Sequence, residues 1–315
     1  MLSLQKIYNA TVRIKKFIQK TPVVKDEYLS ILTGKEIFLK LENLQVTHAF
    51  KIRGSANVIP LLSSVEKKRG LITASTGNHG LGFSFVSGKL GINSLVVVPK
   101  NAPETKVENI KRNGAKVIFH GESYYEASEY AHKLSEDGKL TYIHSFNDEE
   151  FFAGVATVFL ELIKEIPDLD TIIGPIGGGG LIAGVSFAAK MVNPKIQVYG
   201  AQAQGAPSMY KSIKEGYPVT LKSVQTIADG VAVKQPSNLS YSYVKKYSDG
   251  IFLVSDTDIK KTIVSLLYNS KQVVEGAGAV ATAALINNFN HMKAKKIAII
   301  VSGGNIDIKL LKKLI

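Results

Sequence analysis

Four consecutive glycines, Gly177 to Gly180, sit where one hydrophobic run ends and a small-residue apolar run begins. Ile172-Ile173-Gly174-Pro175-Ile176 precedes them and Leu181-Ile182-Ala183-Gly184-Val185 follows. The pattern predicts a strand, a loop without side chains, and a helix start. The first N–H groups of a helix have no intrahelical acceptor, and the helix dipole adds partial positive charge there, so such a junction can cradle a phosphate. The missing Cβ atoms let a ligand approach the backbone. A flexible linker would not lie between a buried strand and an apolar helix. No Lys-Ser/Thr follows the glycines, so the loop is not a Walker A, and it is not G-x-G-x-x-G either. Gly276-Ala-Gly278-Ala-Val-Ala281 comes nearer to the dinucleotide pattern, but the strand after it, Lys296 to Val301, ends without the acidic residue that would hold a ribose. That segment predicts a helix start packed closely through small residues, and leaves an NAD-dependent oxidoreductase as the weaker alternative. A phosphate without nucleotide apparatus points to a smaller phosphorylated cofactor or substrate.

Two more loops carry polar groups and glycine, Ser75 to Gly80 and Ser302 to Asn305. Each follows a predicted strand: Leu71 to Ser75 and Lys296 to Val301. Further strands are expected at 36–41, 94–99, 116–120, 142–145, 171–176, 197–201 and 250–254. Helices are expected over 7–18, running toward Thr21-Pro22, and over 51–62, 78–89, 103–113, 123–136, 153–166, 181–190, 258–269 and 275–288. The region 204–238 reads as irregular. Strand and helix alternate, which argues parallel sheets flanked by helices. In open parallel sheets ligands bind at the carboxyl ends of the strands, so the three loops could meet at one site.

The chain has 315 residues, 45% of them hydrophobic, which suffices for a substantial core and two domains. Its formal charge is +13, but the 39 basic residues are scattered Lys with only four Arg. No basic run or aromatic–basic interleave marks a nucleic-acid interface. The surplus fits solubility and a mild pull on anionic substrates. There is no Cys, hence no disulfide, thiol nucleophile or Cys-metal site. No apolar run has the length of a membrane span, and the N-terminus lacks a secretory hydrophobic core. The expectation is a cytosolic, soluble protein acting on a small molecule, without nucleic-acid or membrane partners.

Taken in order, Phe50-Lys51-Ile52-Arg53-Gly54, Ser75-Thr-Gly-Asn-His79, the glycine tetrad and Ser302-Gly-Gly-Asn305 resemble the pyridoxal-phosphate (PLP) enzymes of fold type II, the tryptophan synthase β-like fold. The resemblance spans nearly the whole chain. It includes Leu39-Lys-Leu-Glu-Asn-Leu-Gln45, Ile227-Ala-Asp-Gly230 and Glu275-Gly-Ala-Gly-Ala-Val-Ala-Thr-Ala-Ala284, and it is strongest with threonine/serine dehydratases and serine racemases. It implies a large PLP-binding domain from residues 1–68 and 148–315, with a small α/β domain inserted at 69–147. Lys51 would hold PLP as a Schiff base and, once released, move the substrate's α-proton. Gly177, Gly178, Gly179, Gly180 and Leu181 would bind the cofactor phosphate. Asn78 would bond the ring hydroxyl, Ser302 would face the pyridine nitrogen, and Phe50 would pack beside the ring. Ser75, Thr76, Asn78 and His79 would surround the substrate carboxylate.

The implied reaction is β-elimination of L-threonine or L-serine to a 2-oxo acid and ammonia, with amino-acid racemisation as the alternative. Thr76 supplies a hydroxyl where racemases have a catalytic Ser and dehydratases commonly have Ala. Phe146, by contrast, is the aromatic of dehydratases. Thr47-His48-Ala49 replaces the family's usual Thr-Gly-Ser, and Gly154-Val-Ala-Thr157 its Gly-Gln-Gly-Thr. Gln202 and Ser208 stand where racemases hold a divalent metal, so no metal site is expected. With the chain closing at Ile315, no appended regulatory domain is expected, and the family implies a homo-oligomer.

Overall fold

The computed structural model describes residues 1–75 and 77–315. Its strands are β1 (Val23–Lys25), β2 (Glu36–Leu41), β3 (Leu71–Ala74), β4 (Ser94–Val98), β5 (Lys116–Phe119), β6 (Thr141–Tyr142), β7 (Thr171–Pro175), β8 (Gln197–Ala203), β9 (Gly250–Val254) and β10 (Lys296–Val301). They form a six-stranded sheet ordered β1-β2-β10-β7-β8-β9 and a four-stranded sheet ordered β5-β4-β3-β6. Every pairing is parallel except β1 with β2. The central strands β7 and β10 read as continuous apolar runs and are buried, as strands covered on both faces must be.

Helices cover both faces of the larger sheet. On one side Leu4–Ile14, Lys51–Leu61, Glu149–Glu165 and Gly180–Val192 share one apolar core, and on the other Asp256–Tyr268 and Gly276–Asn288 share a second. The helix Asn78–Lys89 packs against both the smaller sheet and the helix Lys51–Leu61. That contact is close: a Cβ on Gly82 would lie 2.8 Å from the Ile52 Cα.

Three expectations need correction. The strand expected over 142–145 stops at Tyr142, although Ile143 N–H still donates to Ile72 O at 2.9 Å, and the chain then leaves the sheet toward the glycine loop. The first helix ends at Ile14, well short of Thr21. The region taken as irregular holds the helix Ser208–Glu215, which follows Pro207 and has no side-chain N-cap of its own. Its Tyr210 N–H is satisfied instead by Gln202 Oε1 from β8, at 2.8 Å, a partner no local pattern reveals.

One ion cluster ties these layers together. The Arg53 guanidinium, fully buried, makes two forked contacts: Nε and Nη2 to the Glu42 carboxylate, both at 2.8 Å, and Nη1 and Nη2 to Glu161 at 2.8 and 2.9 Å. Nη1 also donates to Thr157 Oγ1 at 3.1 Å. Lys40, also buried, bonds Glu161 and Thr21 O. Two cations face two carboxylates, so the cluster is neutral. Gly154 and Thr157 of the altered motif keep their roles here, since a Cβ on Gly154 would meet Arg53 O at 2.3 Å. Val155 and Ala156 are both buried, and Val155 Cγ2 packs close to Gly184 of the helix Gly180–Val192; the structure does not explain why they replace Gln and Gly. Removing one partner of a buried pair strands the other's charge, a loss of roughly 3–5 kcal/mol. Arg53→Met should therefore lower the unfolding free energy by about that amount in a urea titration.

Candidate active site

Lys51 opens the helix Lys51–Leu61, and the segment before it is zipped to the loop after β10. Phe50 N–H donates to Ser302 O at 3.1 Å, Gly304 N–H to His48 O at 2.9 Å, and Ala49 bridges Gly303 antiparallel. Asn305 Nδ2 donates to Thr47 O at 2.9 Å. This two-segment splice sets Lys51 and Ser302 side by side. His48 adopts φ 55°, a left-handed backbone that glycine takes without strain, which accounts for the glycine commonly found at this place.

The glycine tetrad fills the turn between β7 and the helix Gly180–Val192. Side chains are excluded on all sides. A Cβ on Gly178 would lie 2.4 Å from the Phe146 ring, and one on Gly179 would lie 2.6 Å from Met209 Cε at a φ of +96°. Phe146 thus lies directly over the loop. The first N–H groups of the helix that follows have no helical acceptor, so the turn has the donors and the dipole that an anion requires.

Two clefts adjoin Lys51. One is lined by Phe50, Asn78, the tetrad, Leu181, Glu275 and Ser302. The other is lined by Ser75, Asn78, His79, Tyr124, Ser145, Phe146 and Gly178. Lys51 and Asn78 belong to both. Burial pulls the Lys51 amine down to about 8, and its Nζ lies 5.3 and 5.8 Å from the ring centres of Phe50 and Phe151.

Each polar group around Lys51 can be assigned by donor and acceptor accounting. Ser75 Oγ accepts from Gly77 N–H and Gly80 N–H, at 3.0 and 2.9 Å, so its own proton remains to be donated. Ser302 Oγ donates to Ala277 O at 3.2 Å. Thr73 Oγ1 gives its proton to Ile143 O at 2.8 Å, so the 3.0 Å contact with His79 Nε2 requires His79 to be the donor. Burial, and then the nearby Lys51, push the His79 imidazole down to about 3, so it stays neutral. Its ring points into the core, which leaves its backbone N–H as the part that can serve a ligand. Asn78 Oδ1 accepts from Asn305 Nδ2 at 2.9 Å, and Asn78 Nδ2 donates to Glu275.

The sequence-predicted residues Phe50, Lys51, Ser75, Asn78, His79, Gly177 to Gly180, Leu181 and Ser302 are thus gathered around the two adjoining clefts. Thr76 lies outside the described residues. Gln202 spends both ends of its amide on backbone, Nε2 on Ala206 O and Oε1 on Tyr210 N–H. Among the described residues no cluster of three or more His, Asp or Glu could hold a metal ion, and no helix is long and apolar enough to cross a membrane. Sequence reasoning missed Lys106, Asp229 and Tyr124, and gave Glu275 no role. Glu275 and Asp229 stand in motifs that were recognised, and a carboxylate held among apolar and glycine residues was the available signal. Lys106, one of many lysines in a helix, gave none.

Residues 14–303 match the model of a family described as pyridoxal-phosphate dependent enzymes. An L-threonine ammonia-lyase of Thermotoga maritima is 41% identical over 315 residues, covering 100% of this chain and 78% of that one. A catabolic L-threonine dehydratase of Staphylococcus aureus is 38% identical over 312 residues, covering 98% of this chain and 90% of that one. The structure of maize serine racemase superposes with a TM-score of 0.94 at 35% identity, covering 99% and 96% of the two chains.

A buried amine titrating near 8 is largely a free base at mildly alkaline pH. The rate at which Lys51 captures an aldehyde should rise with pH and level off just above 8, rather than above the 10.5 of an ordinary lysine. Stopped-flow mixing of apoprotein with an aldehyde, using Lys51→Ala as the blank, measures this.

Proposed function

The chain belongs to the pyridoxal-phosphate dependent enzymes, and from that premise we propose that it is a threonine/serine ammonia-lyase, eliminating water from L-threonine or L-serine and releasing a 2-oxo acid and ammonia. The residues present fit the cofactor. The tetrad is a turn that side chains would fill, at a helix N-terminus suited to a phosphate. Lys51 is a partly buried amine with a depressed pKa at the cleft next to it. When bound, pyridoxal phosphate supplies an aldehyde for an amine and a conjugated ring that draws electrons from the substrate's α-carbon.

In this reading Gly177 to Leu181 hold the phosphate through backbone N–H groups. Phe50 packs beside the ring, and Asn78 uses its second Nδ2 hydrogen on the ring hydroxyl. The Ser302 hydroxyl would face the ring nitrogen, turning to it from Ala277 O. A neutral hydroxyl there gives that nitrogen no charge partner, which favours elimination over reactions needing a stronger electron sink. Lys51 Nζ would hold the cofactor's aldehyde carbon and, as a free amine, would take the substrate's α-proton, a task suited to a base with a pKa near working pH. Ser75 Oγ and the backbone N–H groups at the start of the helix Asn78–Lys89 bind the substrate carboxylate. We place a small inserted α/β domain at residues 69–147, which contain the whole four-stranded sheet, beside a large domain of 1–68 and 148–315.

The observation that carries elimination over racemisation is the 38–41% identity, over nearly the whole chain, to enzymes named threonine ammonia-lyase and threonine dehydratase, and Phe146, the aromatic of dehydratases, stands over Gly178 beside the cleft. The likeness to a serine racemase keeps racemisation as the second reading. The native protein, with PLP, is expected to convert L-threonine or L-serine to 2-oxobutanoate or pyruvate, with D-amino acid a minor product. The Lys51→Ala protein should lose at least about a thousandfold in rate, as removal of a covalent and acid–base group does. Oxo-acid assay with chiral chromatography decides, and D-serine as the main product would overturn the reading.

A further inference from the structure

A second lysine reaches the same site from the smaller sheet's side. Lys106, in the helix Glu104–Arg112 between β4 and β5, is 4% exposed, and its ammonium sits 2.7 Å from Asp229 Oδ2 and 3.3 Å from Glu275 Oε2. Both carboxylates belong to elements packed on the larger sheet: Asp229 to the short turn Asp229–Val231, and Glu275 to the N-cap of the helix Gly276–Asn288. Asp229 is partly exposed, whereas Glu275 is 2% exposed. Room is cleared for the contact on both sides. A Cβ on Gly77 would lie 2.3 Å from Lys106 Cδ, and one on Gly303 would lie 2.3 Å from Glu275 Oε1.

The direction of each hydrogen bond along this chain is forced. Thr47 O only accepts, so Asn305 must present Nδ2 to it, and Asn305 then uses the same amide nitrogen on Asn78 Oδ1. Asn78 therefore presents Nδ2 to Glu275. Glu275 receives donors on both oxygens, Asn78 Nδ2 on one and Lys106 Nζ on the other, so it must be the acceptor-only form. Burial pushes the Glu275 carboxyl up, and Lys106 is the cation that opposes this. With Lys106 gone, Glu275 would take a proton, become able to donate, and compete for Asn78 Oδ1. The amide could then turn over and break with Asn305.

We infer that Lys106 is a positioning residue for the cofactor: it keeps Glu275 acceptor-only, and Glu275 fixes the Asn78 amide so that its second N–H faces the cleft. Because that N–H is the one assigned to the ring hydroxyl, the inference rests on the functional reading above. It also makes cofactor binding depend on the helix Glu104–Arg112 being seated against Asp229 and Glu275.

The test compares native, Lys106→Met, Lys106→Arg and Glu275→Gln proteins, with Lys100→Met as a control because Lys100, among the described residues, pairs with exposed Glu122 alone. The first readouts are the dissociation constant of pyridoxal phosphate and the pH midpoint of the visible absorbance of the loaded protein. Lys106→Met should bind the cofactor about tenfold or more weakly, the factor one hydrogen bond to a charged group carries, and should shift the pH midpoint. Lys106→Arg should recover most of both, and Lys100→Met should match the native protein. Glu275→Gln, nearly isosteric, carries the test if circular dichroism finds Lys106→Met unfolded. Hydrogen exchange on the cofactor-free proteins supplies a readout independent of PLP: protection of segment 104–112 should fall in Lys106→Met alone among the lysine variants. Native affinity and native pH midpoint in both Lys106→Met and Glu275→Gln would overturn the inference while leaving the functional reading intact. A native protein that takes up no cofactor would overturn both.

Discussion

The structure depends on a guanidinium that water does not reach. Arg53 lies two residues beyond Lys51 in the same helical turn, and its two forks bind the carboxylates of Glu42, just after β2, and Glu161, in the helix Glu149–Glu165. An arginine can grip two planar carboxylates at once because its five N–H groups are rigidly arranged, which a lysine could not match. The buried cluster is no gift to stability in itself, since desolvating four charges offsets most of their attraction. Its contribution is geometric. A lysine at the start of a helix, unpaired and beside the positive end of the dipole, would be better off in water. The Arg53 forks fix the turn on which Lys51 stands, so the amine cannot leave the dry cleft without breaking them.

The second constraint is close approach. The site is assembled where backbones and side chains meet too tightly for ordinary residues: Phe146 on Gly178, Ile52 on Gly82, Glu275 on Gly303, Lys106 on Gly77. The first two join the segments around the smaller sheet to those around the larger one, and the other two clear the room in which Lys106 and Glu275 meet across them. The cradle is therefore more than a phosphate turn. Its roof is a side chain, Phe146, delivered by the stretch that leaves β6 early, and the truncation of that strand is what frees residues 143–147 to reach it.

What the sequence revealed and what it withheld divide along chemical lines. The tetrad, Lys51 with its flanks, Asn78 and Ser302 were legible because each occupies a motif whose residue types are improbable for any bland purpose. The parallel strands were legible because buried strands read as apolar runs. The helix Ser208–Glu215 was not, because the Tyr210 N–H in its first turn is satisfied by Gln202, eight residues earlier and on another element. The ring orientation of His79 was not, because it depends on Thr73 and on Ile143 O across the sheet. Lys106 was least visible of all: its partners lie 123 and 169 residues away, and one lysine among many carries no mark until the fold brings carboxylates to it.

The two lysines of the site are best understood together. Burial is the cause of the low Lys51 pKa, and no carboxylate opposes it. Yet a buried carboxylate, Glu275, lines the very cleft that Lys51 lines. Left without a cation it would take a proton, as burial favours, and would no longer be fixed as an acceptor for the Asn78 amide. Lys106 removes that possibility by pairing with Glu275 from the opposite side, while Asn78 occupies its other oxygen. The charge of Glu275 thereby holds the Asn78 amide, and among the described residues no carboxylate pairs with Lys51, whose pKa burial alone lowers. A single acid thus links two elements at once: it receives the ammonium of the helix Glu104–Arg112 on one oxygen and holds, on the other, the amide that offers a rigid polar contact to a ligand.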